Sequence, residues 1–177
     1  MKVLELVEIA IMIALTAVLE IVFSNTQFVL FPNGGSISIS TLPIMVLTLR
    51  RGFKIGLIAG VVYGTFQFLL PVNVYYLQPV QYLFDYIVPF VAIAFIGVFK
   101  ELNVKNIILG TSLAGGLKYL SHVIAGIAYW GEYAPEGFDA VTWSLYYNIT
   151  YVLPSVVLCA FILVSIFKYN KTILEKA

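Results

Sequence analysis

Long apolar runs broken by short polar stretches divide the chain into segments at about 4–23, 37–49, 53–70, 80–99, 107–129 and 143–167. Most reach the ~20 residues that an α-helix needs to cross ~30 Å of hydrocarbon. The run at 37–49 is short and holds Pro43, so it is expected to cross with help from the residues before it. The pattern predicts an all-α membrane protein, a single domain over 1–177 folded as a six-transmembrane-helix bundle. Small residues add packing detail. Gly52, Gly56, Gly60 and Gly64 recur every four residues in the third segment, and Ala10, Ala14 and Ala17 form a similar face in the first. In lipid, such faces let backbones approach and gain dispersion energy. The glycine seam is expected to pack inside the bundle. The alanine face suits either internal packing or an interface to another membrane protein.

Composition agrees with a lipid-embedded chain. Of 177 residues 61% are hydrophobic and 11% charged, with a mean hydropathy of +0.98. A soluble domain carries roughly a quarter charged residues. A net charge of +1 says nothing of partners, and the basic residues are too scattered for nucleic-acid binding. The lone Cys159 excludes an internal disulfide and is expected to be a small buried hydrophobe. Lys2 precedes the first run, which carries Glu5 and Glu8, and no small-residue cleavage site follows it. It is therefore read as a retained helix, not a signal peptide.

Charge orients the helices. Lys2, Arg50, Arg51, Lys54, Lys100, Lys105, Lys168, Lys171 and Lys176 fall at the two termini and in alternate connections. The connections at 24–36, 71–79 and 131–142 hold no cation, and the last carries Glu132, Glu136 and Asp139. Cytoplasmic loops are enriched in Lys and Arg. Both termini are thus expected in the cytoplasm, in a multi-pass protein of the plasma membrane.

The tenth cation, Lys118, lies inside an apolar run. An ionisable group at that depth is a functional-site hypothesis by default. At ~1.5 Å per residue, Asp85 and Tyr86 lie ~8 Å below the outer end of the fourth segment, His122 ~10 Å below that of the fifth, and Lys118 ~16 Å. Lys118 and His122, spaced i,i+4, share a helix face, and Asn148 enters from the sixth segment at a similar level. Trp130, Trp143, Tyr133, Tyr146, Tyr147, Tyr75 and Tyr76 surround that level. Some of these rings are expected to be no more than an interfacial belt, and Asp85 with Lys118 could be only a bundle-stabilising ion pair. Burying both charges without use is costly, however. The convergence predicts an outward-opening cup whose carboxylate and electron-rich rings suit a flat, cationic ligand.

Other chemistries lack parts. With one His and a distant Cys159, no metal site is predicted. The chain has no nucleophile elbow, no HExxH and no GxxxxGK[ST] phosphate loop. Glu20 is read as a boundary residue. The 33–36 run Asn-Gly-Gly-Ser suits either a lid or an ordinary connector.

These residues resemble a family, the substrate-binding (S) components of energy-coupling factor (ECF) vitamin transporters, and specifically its thiamine-binding ThiT members. The resemblance spans nearly the whole chain. It rests on Ala10-x-x-x-Ala14, on Leu49-Arg50-Arg51-Gly52, and on Tyr75-Tyr76-Leu77-x-x-x-Gln81-x-x-x-Asp85-Tyr86. Lys118-Tyr119-x-x-His122, Trp130-x-x-Tyr133-Ala134-Pro135 and Ser144-Leu145-Tyr146-Tyr147-Asn148 follow in order. No single motif is diagnostic; their order and spacing together are. The resemblance implies a thiamine receptor without enzymatic activity. It also implies docking through Ala10 and Ala14 onto a transmembrane coupling subunit driven by two ATP-binding subunits, with no cofactor in this chain. By position it carries substrate-binding roles to Asp85, Tyr86, Lys118, His122, Trp130, Trp143, Asn148, Tyr75, Tyr63 and Tyr146.

Departures mark the chain as divergent. Asp85 stands where the family usually has Glu, Tyr63 where a Trp is usual, and Trp143 where a Tyr is common. A Trp expected in the first outer loop is missing, with Phe28 or Phe31 placed to substitute. Alternatives from the same residues are a stand-alone proton-coupled carrier relaying through Asp85, Lys118 and His122, or a receptor for another cationic heteroaromatic or a pyrimidine precursor.

Overall fold

The computed structural model describes residues 3–24, 34–71, 74–75 and 78–175. The described residues form helices and their connections, with no strand. The helices are α1 (Val3–Ser24), α2 (Leu42–Arg51), α3 (Phe53–Phe66), α4 (Pro79–Val98), α5 (Val104–Tyr129) and α6 (Ala140–Asn170). A 3-10 turn, Gln67–Leu69, extends α3, and another, Lys171–Ile173, extends α6. Phe28, Phe31, Asn33 and Tyr76, singled out above, lie outside the described residues.

Among the described residues, α1, α4, α5 and α6 are long and apolar enough to cross a membrane. The short second run forms a helix shorter at its start than its apolar pattern suggested. Its helix begins only at Leu42 because Pro43 takes the first turn, where a missing N–H leaves no hydrogen bond unmade. At 10 residues, α2 is ~15 Å long, and it is buried at the centre instead of lying against lipid. Pro43 through Thr48 are all buried, and Ile44, Met45 and Leu47 meet Tyr63, Ile93, Ile107 and Leu163 from the surrounding helices.

The glycine seam packs α3 against α4. A methyl group at Gly60 would sit 2.5 Å from the Phe90 carbonyl oxygen, and one at Gly64 would sit 2.7 Å from Ile87 Cα. Gly52 does not join the seam. It is the turn between α2 and α3, at φ +87°, with open space around it. The alanine face also splits, since Ala10 and Ala14 are exposed while Ala17 turns into the core.

Two ends are held differently. At one, Glu8 of α1 accepts from Arg50 Nε and Arg51 Nε, both at 2.6 Å, and Arg50 also donates to the Thr172 and Ile173 carbonyls. At the other, Asp139 caps α6 by accepting from the Val141 and Thr142 amides at 2.9 and 3.0 Å. The Thr142 hydroxyl, with the backbone amides, holds the Asp139 carboxyl below its usual range.

Candidate functional site

A break in α4 sets up the site. Pro89 has no N–H to offer the carbonyl of Asp85, four residues earlier, and its ring crowds that carbonyl. The helix responds just upstream: Leu83–Ile87 form a π-helical turn. Such turns carry an extra residue and recur at functional sites. Here Asp85 sits at the middle of the widened turn, and Ser121 of α5 fastens it by donating to the Phe84 carbonyl at 2.5 Å.

The Asp85 carboxylate is the hub of a small network. Its Oδ2 accepts from Trp130 Nε1 at 2.8 Å and from Gln81 Nε2 at 2.6 Å. Its Oδ1 lies 3.6 Å from His122 Nδ1. Gln81 also donates to the Tyr75 carbonyl, and the Tyr75 amide donates to the Tyr86 hydroxyl at 2.8 Å. The indole of Trp130 stands edge-on to Tyr75, ring centres 6.3 Å apart. An acid, an imidazole and an indole from α4, α5 and the residue after α5 are thereby held together.

They face a cavity of about 360 Å³. Asp85 and Tyr86, Lys118 and His122, Trp130, Trp143, Asn148 and Tyr75 all reach its wall. Tyr63 and Tyr146 do not. Tyr63 is fully buried behind the wall, 4.4 Å from the Phe90 ring centre. Tyr146 is more than half exposed, with its ring beside Phe138 and Trp143. The reason for the latter is helical: on α6, Trp143 and Tyr147 are spaced i,i+4 and share the face toward the cavity, and Tyr146 points a hundred degrees away.

The alternative reading of Asp85 and Lys118 as a bundle-stabilising ion pair does not match the structure. Asp85 is satisfied by Trp130, Gln81 and His122, whereas Lys118 Nζ sits 5.2 Å over the Phe90 ring. Both charges border the same void without forming an ion pair with each other. Asn148 is tied within its own helix, donating to the Ser144 carbonyl at 2.8 Å and accepting from the Tyr151 hydroxyl.

Several wall residues were not singled out from the sequence. Glu20 of α1, taken for a boundary residue, borders the cavity, as do Gln67, Tyr151 and Ser155. The only available signal for Glu20 was an acid one turn short of a helix end. The Gly34–Ser36 backbone forms part of the wall as well. The Gly35 amide donates to the Tyr147 hydroxyl at 2.8 Å, and a methyl group there would meet that oxygen at 2.7 Å. Glycine is therefore required by close approach, and this part of the connection packs against α6. Among the described residues no cluster of three His, Cys, Asp or Glu could hold a metal ion.

Comparison with known proteins gives the same direction. The family model described as Thiamine transporter protein (Thia_YuaJ) matches residues 6–175. The thiamine transporter ThiT of Bacillus subtilis (strain 168) is 36% identical over 178 residues, covering 94% of this chain and 91% of the relative. ThiT of Lacticaseibacillus paracasei is 32% identical over 125 residues, 60% of each chain. A solved structure of ThiT from Listeria monocytogenes superimposes with a TM-score of 0.85 at 28% identity, covering 97% of both chains. A family model spanning nearly the whole sequence, with a relative above one-third identity, places the chain among transporters and not enzymes: it belongs to the thiamine transporter protein family.

Proposed function

We propose that this protein is a membrane-embedded, high-affinity thiamine receptor and the specificity subunit of an ATP-driven ECF importer. One observation carries the reading: the Asp85 carboxylate, framed by Trp130 and His122, faces an aromatic-lined cavity of about 360 Å³. Ligand pockets of this kind run ~300–1,000 Å³. In this reading Asp85 balances the thiazolium charge, and Trp130 and His122 supply stacking surfaces, the indole adding ~0.5–2 kcal/mol by cation–π attraction. Lys118 and Asn148 bond the aminopyrimidine edge, Asn148 through the acceptor site that its carbonyl oxygen keeps beyond Tyr151.

The finer architecture belongs to the same proposal. Six crossings are reached when α2 and α3 traverse the bilayer as shorter, protein-wrapped helices beside the four long ones. The termini and the Arg50–Arg51 turn lie in the cytoplasm of a plasma-membrane protein, and the cavity opens outside. Ala10 and Ala14, exposed on α1, meet the transmembrane coupling subunit, and two ATP-binding subunits consume the ATP. This chain holds no cofactor of its own.

The test is direct, because both tryptophans, Trp130 and Trp143, border the cavity. Titrating the purified protein with thiamine should quench their fluorescence and raise Tm. A saturating titration that changes neither would overturn the substrate assignment.

A further inference from the structure

The cavity wall carries further polar groups besides the Asp85 network. Among them are Glu20 from α1, Lys118 from α5 and Gln67 after α3. These groups are poorly satisfied by the protein. No carboxylate lies within ion-pair distance of Lys118 Nζ among the described residues. Gln67 Oε1 is buried next to the Tyr63 hydroxyl, and neither atom reaches hydrogen-bond geometry. No ion pair joins Glu20 to Lys118 or to His122. Partly desolvated charges that are neither paired nor bonded are costly. Such a cost is tolerated where a ligand completes the set.

The charge count gives Glu20 its meaning. The charged side chains on the cavity wall are two carboxylates, Glu20 and Asp85, and one ammonium, Lys118. The stretches 25–33, 72–73 and 76–77, which lie outside the described residues, contain no Asp, Glu, Lys or Arg. Asp85 and Lys118 alone would cancel, leaving a cavity with no preference for a cation. With Glu20, and with Lys118 protonated and His122 neutral, the wall carries a formal net charge of −1, complementary to a monocationic ligand. At the reduced dielectric of a half-enclosed, largely apolar site such a difference acts over several ångströms.

We infer that Glu20 is a further specificity-determining residue: it offsets Lys118, so that Asp85 remains available to select a singly charged cationic heteroaromatic over its neutral isostere. This rests on the thiamine reading of the cavity and deepens it. Glu20 reaches the ligand's charge through the cavity and through Lys118, and is not required to touch the cationic ring.

The experiment compares thiamine with an isostere in which a neutral thiophene replaces the thiazolium ring. Dissociation constants are measured by fluorescence titration on the full-length protein, its Glu20→Gln variant and its Glu20→Asp variant. Wild type should prefer thiamine. Glu20→Gln should weaken thiamine at least tenfold while changing the neutral isostere less than threefold, and Glu20→Asp should keep most of the preference. Should Glu20→Gln not fold, Glu20→Ser reads the same ratio. Equal losses for both ligands, or an unchanged thiamine constant, would overturn the inference while leaving the receptor reading intact. Failure of wild type to bind thiamine at all would overturn both.

Discussion

Asp85 accepts hydrogen bonds from an indole and an amide while its second oxygen faces an imidazole, so charge and shape can be separated by mutation. Asp85→Asn preserves the shape and removes the charge. Thiamine affinity should fall roughly 10- to 100-fold, about 1.5–3 kcal/mol, as for a lost charge-assisted contact. Trp130→Phe keeps an aromatic face but removes the N–H donated to Asp85, and should cost less, about tenfold or below. Isothermal titration of the two variants checks the order. Tyr63 makes the opposite point. The family resemblance puts it among the ligand-binding residues, yet it is fully buried beside Phe90, and its hydroxyl falls short of hydrogen-bond geometry with the neighbouring Gln67 oxygen. Tyr63→Phe should leave thiamine affinity within about threefold and hold or raise Tm, because an unpartnered buried hydroxyl costs ~1–3 kcal/mol. The residue types of the site were thus legible in the sequence. Which aromatic faced the cavity was not, since that depends on helix rotation fixed by packing partners.

At the scale of elements, the seam of α3 and the break in α4 carry the argument. Gly60 and Gly64 let the two backbones touch. Gly60→Leu should therefore abolish the folded state in detergent, and Gly64→Ala should lower both Tm and ligand affinity, because its methyl group would press on Tyr86 and Ile87 beside Asp85. Gly116→Ala is the contrast: open space surrounds that position, and the change should leave Tm equal or slightly higher. Thermal-shift measurements on the purified variants decide it. The α6 cap gives a pH-dependent case. The Asp139 carboxyl titrates below its ordinary value of 3.8 in the folded protein. A lowered folded value stabilises above the unfolded one and is lost as pH falls through the folded one. Asp139→Ala should thus lower Tm at neutral pH, and the gap to wild type should close in acid. The helix-starting role of Pro43 and the π turn before Pro89 follow from chemistry readable in the sequence, although the apolar pattern alone suggested a longer second helix and an unbroken fourth.

For the whole molecule, the proposed topology puts the cation-free connections at 24–36, 71–79 and 131–142 outside and the Arg-rich turn at 50–54 in the cytoplasm. Cys159 is buried, so background labelling by an impermeant thiol reagent should be low. A cysteine placed at Gly137 should react from outside intact cells, and one at Lys54 should not; the reverse pattern would invert the topology. Ala10→Leu with Ala14→Leu should leave thiamine binding by the isolated protein unchanged and abolish uptake by the assembled importer. By itself, the sequence determined the helical class, the apolar segments, the asymmetry of positive charge and the cast of polar residues at one depth, because these follow from local hydropathy and composition. Tertiary structure decided which polar groups meet. It tied Asp85 to Trp130 and Gln81, set Lys118 over Phe90, moved Tyr63 and Tyr146 off the cavity wall, and brought Glu20 onto it. Those outcomes depend on the rotation and tilt of each helix, which are fixed only when glycine seams, a central short helix and a proline-widened turn pack together.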